Sequence, residues 1–74
     1  GTYTFVTSSS SASSDTDFVV RLNGTAIAAG IAPGEENRAI SLSGNTEYVI
    51  EIYDFNNIDG TSGEYTSTLS VSAP

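Results

Sequence analysis

The chain has 74 residues, which allows one small domain and leaves no room for a second hydrophobic core. Its net charge is −7 and its basic side chains are Arg21 and Arg38, so nucleic acids and anionic membrane surfaces would repel it. Cysteine is absent, which excludes disulfides and thiolate metal sites. Without such cross-links, we expect a domain of this size to be only marginally stable.

Composition also bears on location. Ser and Thr dominate the polar residues, which is typical of secreted bacterial and archaeal surface proteins. The absence of Met predicts that the chain begins after a processing event that removed any signal peptide. No apolar run approaches the roughly 20 residues of a transmembrane helix. We therefore expect an extracellular or cell-surface protein with no membrane insertion.

The first half of the chain predicts three strands. Tyr3 and Phe5 share one face of a strand over residues 3–7. The serine tract of residues 8–14 predicts a flexible loop, with O-linked glycosylation as the alternative. The strand that follows runs into Asn23-Gly24, a dipeptide that favours a tight hairpin, so the third strand should fold back on the second.

The second half predicts three more strands, separated by a turn at Pro33-Gly34, a turn around Gly44 and a polar loop. The run over residues 47–55 is the longest, and we expect it to be a central strand. The six predicted strands are residues 3–7, 18–22, 25–28, 38–43, 47–55 and 65–72.

Short alternating strands with no helical periodicity predict an all-β fold, a small antiparallel β-sandwich that forms one domain over residues 1–74. Its two sheets would pack face to face through the inward-facing side chains. The predicted core consists of Tyr3, Phe5, Phe18, Val20, Leu22, Ile27, Ile40, Leu42, Tyr48, Ile50, Ile52, Tyr65, Leu69 and Val71.

Three segments carry a family resemblance. Asp15-Thr16-Asp17 precedes an aromatic and aliphatic strand that ends near Arg21, a tyrosine-rich strand follows at residues 47–53, and residues 63–69 have the pattern Gly-x-Tyr-x-x-x-Leu. In order and spacing these segments resemble the bacterial pre-peptidase C-terminal (PPC) domain of secreted proteases and other exported proteins. The resemblance implies a jelly-roll-like β-sandwich.

The chain departs from that family at its front. Family members usually carry one more aromatic-rich strand before the equivalent of residues 3–7, whereas this chain begins at Gly1. If the alignment holds, one sheet has an open edge that accepts a strand from a longer precursor or from a neighbouring copy. Addition of a neighbouring copy would give an open head-to-tail filament.

Catalysis is not expected, because the chain has no His, Cys or Lys to act as a base or an activated nucleophile. Glu35 and Glu36 are adjacent in a predicted turn and should point apart, and Glu51 lies on a strand face. We interpret these three as solvated carboxylates rather than as an acid–base pair.

Oxygen-bearing side chains crowd two predicted loops, one before the second strand and one after the fifth, and hard oxygen ligands of this kind suit calcium. The spacing is not that of an EF-hand loop. Asp and Asn also cap turns through their own side chains, so a purely structural role stays open. The candidate calcium ligands are Asp15, Asp17, Asp54, Asn56 and Asp59.

Two further features have two interpretations each. Asn23-Gly24-Thr25 fits the N-glycosylation acceptor pattern, but the same residues form the preferred hairpin turn. Tyr53 and Phe55 fall on the face opposite the predicted core, where they would form either a contact patch or part of a second core.

The sequence therefore predicts a non-enzymatic extracellular structural or adhesive module that self-associates through sheet edges, with a filament as one form of assembly. The alternative is a C-terminal accessory binding domain of a secreted peptidase. It would contact a matrix protein or the parent enzyme, the latter as a neighbouring domain at the same exposed edge. A third hypothesis is folding that depends on calcium.

Overall fold

The computed structural model describes residues 1–11, 13–56 and 66–74, and these residues form six β-strands and no helix. The predicted all-β fold is confirmed. The strands are β1 (Thr2–Ser9), β2 (Thr16–Leu22), β3 (Thr25–Gly30), β4 (Asn37–Ser41), β5 (Val49–Asp54) and β6 (Ser67–Ser72).

The strands form two antiparallel sheets of three strands each, in the orders β4-β1-β6 and β3-β2-β5. The central strands β1 and β2 lie over each other, β4 lies over β3, and β6 lies over β5. This packing confirms the predicted small β-sandwich. The prediction that residues 47–55 form a central strand is wrong, because β5 is an edge strand among the described residues.

The turn between β2 and β3 is the predicted hairpin. Asn23 has a φ of 51° and Gly24 a φ of 81°, the positive values that a two-residue turn between twisted strands requires. The register then shifts between Val20 and Arg21, so that Ile27 is the extra residue on β3.

The buried apolar core is small and lies between the two central strands. Phe5, Phe18 and Val20 are fully buried and Ile40 is nearly so. The rings of Phe5 and Phe18 stack with their centroids 5.2 Å apart and their planes at 14°. Partly buried apolar side chains pack around this centre, namely Tyr3, Ala28, Leu42, Tyr48 and Leu69.

Four predicted core residues are exposed. Ile27, Ile50, Ile52 and Val71 are exposed by 47%, 36%, 40% and 44%. Ile27 lies at the register shift in an edge strand, and the other three lie in the edge strands β5 and β6, whose outer sides no described strand covers. Leu22 is half-buried, and Tyr65 lies outside the described residues.

The predicted loop over residues 8–14 begins later than expected, because β1 continues through Ser8 and Ser9. Beyond β1 the chain is held by hydrogen bonds. The Ser11 backbone N–H donates to Ser9 Oγ at 3.1 Å, and the Asn56 side chain donates to the Ser13 carbonyl at 3.0 Å.

Candidate functional site

Three carboxylates converge at one end of the sandwich. Asp15 precedes β2, Asp17 is the second residue of β2, and Glu36 ends the loop between β3 and β4. Each offers one carboxylate oxygen, and these oxygens all lie within 4.8 Å of one another. Asp17 and Glu36 are each 3% exposed, and Asp15 is half-buried. We call these three residues the acidic cluster.

The sequence did not indicate Glu36 as a candidate ligand. We predicted that Glu36 is a solvated carboxylate, and this prediction is wrong because the residue is buried. Its backbone N–H donates to Thr7 Oγ1 at 2.6 Å, and its carbonyl accepts from the Thr7 N–H at 3.0 Å. The Thr7 hydroxyl in turn donates to the Thr16 carbonyl at 3.2 Å. These hydrogen bonds join Glu36 to Thr7 of β1 and, through the Thr7 hydroxyl, to β2. The backbone of Glu36 is therefore held against both strands, and its side chain is buried.

The Glu36 carboxylate is also oriented by its own loop. Its Oε1 atom accepts a hydrogen bond from the Ala32 N–H at 3.3 Å. Gly30 leaves the space for it, because a Cβ at this position would overlap the Phe18 ring and lie 2.9 Å from Glu36 Oε1. Oε1 is thus held by the loop, and Oε2 has no hydrogen-bond partner among the described residues.

The neighbouring Glu35 behaves differently, because it faces solvent. Its Oε1 atom accepts hydrogen bonds from Ser14 Oγ at 2.5 Å and from the Thr16 N–H at 3.3 Å. Loss of hydration opposes ionisation, but these hydrogen bonds outweigh it and lower the pKa of Glu35.

Asp54 holds the other side of the cluster in place. Its Oδ2 atom accepts from the Asp15 N–H at 3.1 Å, and its Oδ1 atom accepts from the Asn56 N–H at 2.9 Å. The Phe55 N–H donates to the Asp15 carbonyl at 2.9 Å, which ties the end of β5 to the start of β2. Of the five candidate calcium ligands, Asp15 and Asp17 meet, Asp54 and Asn56 adjoin them, and Asp59 lies outside the described residues.

Burying three carboxylates close together in the acidic cluster opposes their ionisation and lowers the stability of the fold. Buried atoms Asp15 Oδ1, Asp17 Oδ1 and Glu36 Oε2 accept no hydrogen bond from the described part of the chain. Burial raises the pKa of Asp17 from 3.8 to about 6, followed by the charge of Asp15, a hydrogen bond that the protonated form makes with the Asp15 carboxylate, and the charges of Glu36 and Asp54. The chain has two basic residues, and Arg21 pairs at 3.5 Å with Glu51 rather than with the cluster.

A second feature lies along one side of the sandwich. Ile50 and Ile52 pair with the buried Val20 and Phe18, and Val71 pairs with the buried Phe5. Directly paired residues share a face of the sheet, so all three point toward the interior, and they are exposed because no described strand covers the side between β5 and β6. We call the surface formed by Ile50, Ile52 and Val71 the open side.

The open side widens into a cleft at the end of the sandwich opposite the acidic cluster. Its volume is about 310 Å³, and its walls include Tyr3, Leu42, Tyr48, Ile50 and Val71. The loop that closes one wall is fixed by a hydrogen bond from the Ser43 N–H to Tyr48 Oη at 2.9 Å. No charged side chain lines this cleft among the described residues.

The remaining candidates are on the surface. Asn23 is exposed in the hairpin turn, Phe55 is 62% exposed, and Tyr53 is half-buried. Burial and the charge of Asp17, with which Tyr53 pairs across the sheet, raise the pKa of the Tyr53 hydroxyl. The described residues include no helix of the length and apolarity needed to span a bilayer.

Comparison with known proteins found no relative of this chain. No family model, no curated protein and no solved structure matches the chain. The resemblance to the PPC domain therefore stays a prediction from the three sequence segments.

Proposed function

We propose that this chain is a non-enzymatic extracellular structural or adhesive module that self-associates through the open side between β5 and β6. The observation that carries the proposal is the exposure of Ile50, Ile52 and Val71, which are 36%, 40% and 44% exposed although their pairing directs them into the sandwich. Apolar side chains on the inner face of two adjacent edge strands favour coverage by another chain.

The two edges have few of the features that block strand addition. Natural proteins protect edge strands with Lys, with Pro or with charges that point inward. The chain has no Lys, β5 and β6 contain no Pro, and Ile50, Ile52, Leu69 and Val71 occupy inward positions of these strands. The inward charge of β5 is Asp54 at its last position, where the Asp15 and Asn56 N–H groups donate hydrogen bonds to the carboxylate. The charge of Glu51 lies on the outer face, where Arg21 pairs with it.

A second copy of the chain is the occupant that fits these edges. Ile50 and Val71 line the same cleft, so β5 and β6 open on the same side of the sandwich. A two-fold axis perpendicular to the sheets would pair β5 with β5 of the second copy, antiparallel, and bring the two β6 edges together. Each sheet would then continue across the interface, and the apolar side chains of both copies would share one core.

The sequence of β5 favours one register for this pairing. If Ile50 lies opposite Ile50 of the second copy, the outward positions pair Val49 with Glu51, and no two glutamates are directly opposed. A shift of one residue pair would place Glu51 opposite itself, where like charges repel. Placing Ile52 opposite itself would also keep the glutamates apart, but it would bring the inward carboxylate of Asp54 opposite Ile50. We therefore expect the axis to pass beside Ile50.

Energetics predict a weak dimer. Completing the burial of a half-exposed Ile or Val contributes roughly 1 kcal/mol, so the six side chains of two copies contribute about 6 kcal/mol. Loss of translational and rotational freedom costs about 4 to 15 kcal/mol. Backbone hydrogen bonds between the strands must supply the remainder, and we expect dissociation constants in the micromolar range or weaker.

Sedimentation equilibrium across micromolar to near-millimolar concentrations tests the proposal. We expect the unmodified chain to dimerise and Ile50→Lys to remain monomeric, because the substitution places an inward-pointing charge in the interface. Ile27→Lys is the matched control, since Ile27 is 47% exposed on the opposite edge of the same sheet. Circular dichroism of each variant verifies that the β fold is retained.

The other assemblies give different results in the same experiment. A head-to-tail filament joins the open side of one copy to the β3 and β4 edges of the next, so Ile27→Lys would disrupt it as strongly as Ile50→Lys. An accessory domain that docks only on another protein would stay monomeric at every concentration, and that outcome would defeat the proposal.

A further inference from the structure

Three buried oxygens at the acidic cluster have no partner. They belong to Asp15, Asp17 and Glu36, and no described residue donates a hydrogen bond to them. An unpaired buried carboxylate oxygen is costly, and a fold retains such a group when a ligand satisfies it. Asp17 and Glu36 are each 97% buried, so bulk water does not supply that ligand freely.

Hydrogen bonds from the surrounding chain hold residues of the acidic cluster in place. Asp54 and Phe55 fix the backbone of Asp15, Thr7 fixes the backbone of Glu36, and Ala32 occupies the other oxygen of the Glu36 carboxylate. Three separate parts of the chain therefore hold Asp15 and Glu36 in place beside the buried Asp17. Such support from surrounding hydrogen bonds is what positions the ligands of a metal.

The chemistry of the carboxylate oxygens indicates which ion would bind to the acidic cluster. Three ionised carboxylates attract a cation, and neither arginine forms an ion pair with them. The chain offers no His and no Cys, so the donors are the hard oxygens that calcium and magnesium prefer. Two oxygens that bind one calcium at about 2.3 to 2.6 Å lie at most about 5 Å apart, which accommodates this cluster. Magnesium requires a tighter octahedral arrangement.

We propose that Asp15, Asp17 and Glu36 bind one calcium ion, which joins the start of β2 to the loop between β3 and β4. Asp54 is a positioning residue, because its carboxylate accepts hydrogen bonds from the Asp15 and Asn56 N–H groups and is not among the three whose oxygens converge. Backbone carbonyls or water would complete the coordination sphere of six to eight oxygens that calcium takes. The inference is independent of the proposed self-association, since the open side lies along a different face.

The site is tested with calcium chloride alone, added to chain that has been freed of metal by a chelator. Isothermal titration calorimetry should give one site per chain with a dissociation constant of about 10⁻⁴ to 10⁻³ M, the range of extracellular calcium modules. At a tenfold excess over that constant, the melting temperature should rise by about 5 to 10 °C. Magnesium should have a smaller effect.

Three variants decide where calcium binds. Asp17→Asn and Glu36→Gln keep the side-chain shape and remove one charge each, and we expect each to weaken binding about tenfold or more. Their metal-free forms should melt no lower than the parent, because each relieves like-charge repulsion. Glu47→Gln is the control, since Glu47 is exposed at the opposite end of the sandwich. Absence of any calcium effect on the folded parent, or equal binding by all three variants, would overturn the proposal.

Discussion

Phe5 of β1 and Phe18 of β2 stack across the two sheets with their ring centroids 5.2 Å apart, and both side chains are fully buried. They occupy the two central strands, so the contact joins the layers at the middle of the sandwich. Because the described residues bury few other large apolar side chains, this pair has a large share in the stability of the fold.

Removing one ring should therefore remove much of the free energy of unfolding. Phe18→Ala should cost about 3 to 5 kcal/mol, whereas a chain of 74 residues has a total stability of roughly 4 to 11 kcal/mol. Urea denaturation should show a large loss for Phe18→Ala, a smaller loss for Phe18→Leu and almost none for Phe55→Ala, whose ring is 62% exposed. Equal losses at both positions would contradict this account of the core.

Gly30 should tolerate no side chain. A Cβ there would meet the Phe18 ring and Glu36 Oε1, so Gly30→Ala forces these groups apart and should cost about 1 to 3 kcal/mol. Gly44→Ala is the control, because nothing lies within 4 Å of its Cβ position, and we expect it to be neutral or slightly stabilising. Thermal unfolding of the two variants in the presence of chelator measures the difference.

The metal-free chain should lose stability as pH rises through the titration of Asp17. Burial and the charges of Asp15, Glu36 and Asp54 raise the pKa of Asp17 from 3.8 to about 6. The folded chain therefore holds the proton more tightly than the unfolded chain does. The resulting stabilisation is complete below 3.8 and is lost as pH rises through about 6.

Melting curves recorded with chelator between about pH 5 and pH 7 measure this effect. We expect the melting temperature to fall across that interval in the parent chain and to change less in Asp17→Asn, which has no proton to lose at this position. A parent whose melting temperature rises over the same interval would show that Asp17 does not control the pH dependence.

The register proposed for the dimer can be checked by cross-linking, since the chain has no cysteine of its own. Directly opposed residues on antiparallel strands have Cβ atoms about 4.5 to 5.5 Å apart, close enough for a disulfide after a small adjustment. Ile50→Cys should form a covalent dimer under mild oxidation, visible on a non-reducing gel. Ile27→Cys, on the opposite edge, should remain monomeric under the same conditions.

Local sequence signals predicted much of the fold. Two-residue alternation located all six strands, and Asn23-Gly24 located the hairpin, because these features depend on neighbours in the chain. The alternation also assigned Ile50 to the inner face, where its pairing places it. It could not tell that β5 is an edge strand, since the order of strands in a sheet depends on contacts between distant segments.

The acidic cluster shows the same limit. Asp15 and Asp17 lie two residues apart and stood out together, whereas Glu36 had no local feature to distinguish it from the exposed Glu35. What buries Glu36 is its pairing with Thr7, which is 29 residues away. Only the packing of the loop against β1 reveals which of two adjacent glutamates faces inward.

The position of β1 has a consequence for how the molecule is made. The first strand lies at the centre of its sheet, and its neighbours are β4 and β6, the latter at the far end of the chain. During synthesis β1 leaves the ribosome before either neighbour has been made, so its sheet cannot be completed until residues 67–72 have also emerged. Such distant pairing makes folding slow and leaves the nascent strand open to capture by other chains, which gives a chaperone time to act.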